Sequence, residues 1–144
     1  MKCDRLNQLS TVLTGHGVLL AFLFGSQAGK GEALLKGSPV KPADDLADLD
    51  LGVVLRNSLP DGLARARFYA LLYNDLVDLF RPLNLDLVLL QETHSIFQLE
   101  AIKGICVYRE SEQAKEDYEM SVLRRAADFG PVLAKFLEET LEEV

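Results

Sequence analysis

Phe22-Leu23-Phe24-Gly25-Ser26 and, past a long loop, Asp48-Leu49-Asp50-Leu51-Gly52-Val53-Val54-Leu55 are the stretches whose reading decides the fold. The first is an apolar run that stops at Gly-Ser. The second is strand-like and opens with two carboxylates two residues apart. Side chains of a strand alternate between its faces, so Asp48 and Asp50 point the same way. Like charges side by side repel unless something positive lies between them. A divalent metal is the usual answer, and two metals on a carboxylate cluster suit phosphoryl or nucleotidyl transfer.

Working outward, Val18 to Phe24 is continuous and apolar and reads as a strand buried on both faces. Before it, Leu6, Leu9, Val12 and Leu13 recur at helix spacing over residues 4 to 14, and Gly15 and Gly17 end that helix. His16 reads as a turn residue. After Ser26, residues 27 to 35 read as a helix whose free N–H groups would suit a phosphate. Gly25-Ser-Gln-Ala-Gly29-Lys30-Gly31 invites comparison with a Walker A loop. Its spacing is one residue short, and Gly31 stands where the magnesium-binding hydroxyl is required, so that reading fails. Lys30 is either a phosphate contact or a solvated loop lysine. Residues 37 to 45 are a loop in which Asp44 and Asp45 read as solvated acids.

Downstream of the second strand, residues 62 to 80 carry apolar side chains with helical recurrence. Ser58 or Asp61 is the expected cap, with Pro60 near the first turn. Arg81 to Asn84 is a break. Leu85 to Leu90 is a third strand, and Asp86 is a charge inside its apolar run, costly if unpaired. Beside the second strand it would join Asp48 and Asp50; on its own it would be an edge acid paired with a lysine. A short helix over 95 to 103 has Thr93 and Ser95 as possible caps, with His94 exposed or capping rather than binding metal. Ile105 to Tyr108 is a short strand, 112 to 129 a helix, Gly130-Pro131 a break, and 132 to 141 a last apolar face. The acids at its end oppose the helix dipole, as in a frayed tail or a docking surface.

The totals bound the function. A chain of 144 residues with 49% hydrophobic content suggests one domain with a real core. A net charge of -7 without a basic cluster argues against a direct nucleic-acid binder. Cys3 and Cys106 are scattered, as expected of a reduced, cytoplasmic protein. Asp4 and Arg5 come early, so no signal peptide is expected, and the longest apolar run is too short to span a membrane.

An apolar strand into Gly25-Ser26, then Asp48-x-Asp50, then Asp86 on a later strand resembles the minimal nucleotidyltransferases (MNT type) of the DNA polymerase beta-like superfamily. The likeness runs through Gly104-Ile-Cys-Val-Tyr108 and the long C-terminal helix with Tyr118. It departs in the gap between Ser26 and Asp48, longer here than is usual, and in Ala47, where many relatives have Ser. The extra length falls in the loop between Lys30 and Asp45 and bears on substrate access; long surface insertions cost little closure entropy.

The resemblance implies an α/β (α+β) fold: a small mixed sheet flanked by helices, with a nucleotidyltransferase core over 1–111 and C-terminal helices over 112–144 packed on it as one domain. It implies transfer of AMP from ATP to a hydroxyl, most often a tyrosine of a partner HEPN toxin, by an antitoxin of a toxin–antitoxin pair. In that scheme Asp48, Asp50 and Asp86 are catalytic and hold two magnesium ions, while Gly25, Ser26 and Lys30 contact the nucleotide. Two other functions stay open: a non-catalytic binding module that neutralises its partner by complex formation, and a small-molecule adenylyltransferase. A homo-oligomer is also open.

Overall fold

The computed structural model describes residues 4–41, 48–128, 130, 135, 138 and 139. Asp44, Asp45 and most of the expected last helix lie outside them. The elements run α1 (Asp4–Gly15), β1 (Val18–Phe24), α2 (Ala28–Leu35), β2 (Asp48–Leu55), α3 (Gly62–Val77), β3 (Asn84–Leu89), α4 (Ser95–Ile102), β4 (Ile105–Arg109) and α5 (Glu112–Ala127).

The sheet has the order β3-β2-β1-β4. β1 is antiparallel to both β2 and β4, and β2 is parallel to β3. β1 is therefore flanked on both edges, and helices cover both faces. Six of its seven residues are buried, which is why it carries no alternation. β3 is an outer strand and does alternate: Leu85, Leu87 and Leu89 are buried while Asn84 and Asp86 are exposed. That pattern leaves one face free to hold a charge.

One face packs against α1, α2 and α3. Leu9 and Leu13, four apart on α1, meet Leu34, Leu35, Leu72, Leu76 and the strand residues Leu23, Leu49, Leu51, Val53, Leu85 and Leu87. The other face holds Leu20, Phe22, Phe24, Val54 and Leu90 beneath Ala101 of α4 and Tyr118 of α5. Each fully buried large side chain contributes about 1.5–3 kcal/mol. A core of this size tolerates a repulsive carboxylate pair at one end of the sheet. Among the described residues, no helix is long and apolar enough to cross a membrane.

Several local expectations change. The helix expected to run to residue 80 stops at Val77, and Asp78–Phe80 tightens into a 3-10 turn before the break at Pro82. Pro60 precedes α3 rather than opening it. Asp61 is the residue before the helix but makes no side-chain cap. At α4 the cap is His94, in one of the two roles expected of it: its Nδ1 accepts from the Ile96 N–H at 3.3 Å, while Thr93, another candidate, donates to the Leu90 carbonyl. His16 is no idle turn residue: its Nε2 lies 2.7 Å from Asp75 Oδ2 and ties the α1–β1 turn to α3.

Candidate active site

The register of three strands builds the site. Phe24 at the end of β1 pairs with Asp50, and Asp50 pairs with Asp86 across the parallel strands. Asp48 pairs with Asn84, one step towards the strand ends. The acids thus gather where β1 ends and β2 and β3 begin. Asp50 is half-buried; Asp48 and Asp86 are exposed.

The electrostatics follow from that placement. Burial pushes the Asp50 carboxyl up from 3.8 to about 6, helped by a hydrogen bond to the Asp86 carboxyl and by the charges of Asp86 and then Asp48. A hydrogen bond between two carboxyls requires a proton between them, so this pair gathers negative charge that only a proton or a cation relieves. Among the described residues Asp86 pairs with the Asp50 carboxyl rather than with a lysine. The three acids do not all close together: among the described residues, no three His, Cys, Asp or Glu side chains form a ready metal cage. Asp50 and Asp86 meet, and Asp48 acts on Asp50 through its charge.

Gly25 turns the chain above this pair. Its φ is +77°, and a Cβ there would lie 2.5 Å from Asp50 Oδ2. Only glycine gives both the left-handed backbone and the room. Ser26 follows, exposed, and α2 begins two residues later. The first-turn N–H groups of a helix lack intrahelical acceptors, and its N-terminus carries partial positive charge. Phe24 meets Phe97 of α4 edge-on at 5.6 Å, which closes the apolar side of the turn.

Lys30 lies on α2, half-buried, rather than in a loop. No ion pair joins it to the three acids among the described residues. Gly31 explains the failed Walker reading: a Cβ there would be 2.8 Å from Leu49 Cδ1 and 3.0 Å from Leu23 Cδ1. It is glycine so that α2 can lie close against the sheet.

Two residues escaped the sequence reading. Gln27 is 6% exposed, its amide nitrogen donates to Ser26 Oγ at 3.3 Å, and its Oε1 has no partner among the described residues. A polar residue straight after Gly-Ser was the available signal. Tyr69 on α3 donates to the Leu87 carbonyl at 2.8 Å, next to Asp86. Burial, then the charge of Asp86, raises its phenol pKa. Nothing in the sequence linked residues 69 and 87.

Comparison with known proteins adds to this geometry. The family described as Polymerase beta, Nucleotidyltransferase matches residues 7–113, a stretch that includes Gly25, Ser26, Asp48, Asp50 and Asp86. No curated protein matches the chain. Among solved structures, a chain from the complex of a tri-AMPylated Shewanella oneidensis HEPN toxin with MNT antitoxin is similar over 98% of this chain and 99% of its own, at 15% identity and a TM-score of 0.58. A toxin–antitoxin structure with AMP-PNP is similar over 94% and 98%, at 15% identity and a TM-score of 0.60. The toxin–antitoxin MntA–HepT is similar over 95% and 97%, at 14% identity and a TM-score of 0.56. At these identities the likeness is one of fold.

Proposed function

The chain belongs to the polymerase beta nucleotidyltransferase family, and from that premise we propose that it moves AMP from ATP to a hydroxyl, with a tyrosine of a HEPN-type toxin as acceptor, and so acts as an antitoxin. The observation that carries this reading is the pairing of Asp50 with Asp86 beneath the Gly25 turn. A protein that only occupied a partner's surface would have no use for that arrangement. Two features of similar folds support the donor and the acceptor: one complex contains AMP-PNP and another a tri-AMPylated toxin. The cytoplasm, with its ATP and reduced thiols, is the compartment this reading implies.

Magnesium fits the residues present. Carboxylate oxygens of Asp48, Asp50 and Asp86 are the hard donors it takes, and the strand register sets Asp50 directly opposite Asp86. These three acids would hold two ions, which when bound supply the positive charge that neutralises the triphosphate and polarises the acceptor.

The chain's own residues do the rest. Gly25 lets the backbone come close to the β- and γ-phosphates, and Ser26 Oγ with the N–H groups of the α2 start donates to them. Gln27 holds Ser26. The acceptor oxygen attacks the α-phosphorus, the bond from that phosphorus to the bridging oxygen breaks, and pyrophosphate leaves with the electron pair. The hydroxyl proton passes to the Asp86 carboxylate.

Calorimetry tests the binding half of this reading. ATP should bind with magnesium present, lose that binding in EDTA, and bind more weakly to Ser26→Ala. A protein that binds no ATP with magnesium would be a pure binding module, and the proposal would fall.

A further inference from the structure

We propose that Tyr69 is a positioning residue for the active site: its hydroxyl, backed by Arg65, fixes the outer strand β3 so that Asp86 stays opposite Asp50. The inference rests on the assignment of Asp86 as a site acid made above.

Among the described residues, β3 has a strand neighbour on one side only. An outer strand lacks the second ladder that holds an inner one, and its free backbone groups must be satisfied by something else. Asp86 therefore sits on one of the sheet's two outer strands, opposite a carboxylate that repels it once both are ionised. The register between Asp50 and Asp86 needs support from outside β2.

Helix α3 supplies it. Tyr69 Oη donates to the Leu87 carbonyl at 2.8 Å, one residue from Asp86. The Tyr69 ring is itself held. It stacks on Tyr73 with an interplanar angle of 12° and a centroid separation of 6.3 Å. The Arg65 guanidinium lies 5.5 Å from its centroid on α3. Arg65 also grips both carboxylate oxygens of Glu92 just beyond the end of β3. Such bidentate pairs fix orientation as well as position. One face of α3 thus fastens β3 at residue 87 and the chain at residue 92, on either side of the segment that follows Asp86. Partners of this kind, one step removed from the ligand atoms, typically change metal affinity by roughly 10–100-fold when removed.

The test uses manganese as the probe and electron paramagnetic resonance as the readout, on the full chain with ATP. Tyr69→Phe removes the hydroxyl and keeps the ring. It should weaken manganese binding roughly 10–100-fold, while Tyr73→Phe, which takes no part in the bond to Leu87, leaves it unchanged. Arg65→Gln should weaken it in the same direction by less, and serves if Tyr69→Phe folds poorly. Hydrogen exchange at the amides of Asp86 and Leu87 should quicken in Tyr69→Phe.

Wild-type manganese affinity in Tyr69→Phe, or an equal loss in Tyr73→Phe, would overturn the inference. Asp86→Asn separates this failure from that of the underlying reading. If Asp86→Asn binds manganese like the wild type, the acid assignment falls and the inference with it. If Asp86→Asn loses binding and Tyr69→Phe does not, only the inference falls.

Discussion

A methyl group at residue 25 has no free place to go. Gly25→Ala would put a carbon 2.5 Å from Asp50 Oδ2 in a left-handed backbone. The backbone alone costs about 1–2 kcal/mol, and Asp50 must also move. We predict a lower Tm and loss of nucleotidyl transfer together. Asp50 carries a second prediction. Its native pKa of about 6 stands above 3.8. Between those values the native state holds a proton that the unfolded chain has released, so wild-type stability falls as pH rises through that window and levels off above it. Asp50→Asn removes this loss. Thermal melts should show Asp50→Asn more stable than wild type near pH 8, with the difference fading towards pH 4. Excess magnesium should raise the wild-type Tm near pH 8 and leave that of Asp50→Asn unchanged. Asp86 was legible because a charge interrupted an apolar run. Gln27 and Tyr69 were not, because their roles rest on a rotamer and on a contact between distant positions.

At the scale of elements, the strands were readable where burial dictated composition. Val18–Phe24 had to be apolar throughout because both faces and both edges are covered. Ends of helices were less so. α3 yields to a 3-10 turn at Asp78 although its apolar recurrence continues to Phe80, and nothing local marks that change. The cap of α4 fell to His94 rather than to Thr93 or Ser95, since Thr93 instead bonds back to Leu90. The join of β1 to β4 makes its own prediction. Gly104 lies so close to β1 that a Cβ there would overlap the Leu23 carbonyl oxygen. Gly104→Ala should cost about 1–3 kcal/mol, as overpacking does, read as a drop of several degrees in Tm. An unchanged Tm would mean that β4 pairs more loosely than the register implies.

For the molecule as a whole, a charge of -7 on a small domain makes a cation a natural companion for a polyanionic substrate. The spacing of the three acids was legible in the sequence. How the acids combine was not: the strand order, with β2 between β1 and β3, decides that Asp50 faces Phe24 on one side and Asp86 on the other. The central claim is that this meeting point transfers AMP to a partner. The direct measurement is label transfer from α-labelled ATP to a co-purified HEPN-type partner with magnesium, comparing wild type with Asp50→Asn and Asp86→Asn. The account predicts a labelled tyrosine on the partner with the wild type and roughly 100-fold or greater loss with either variant. Transfer that survives both substitutions would contradict it.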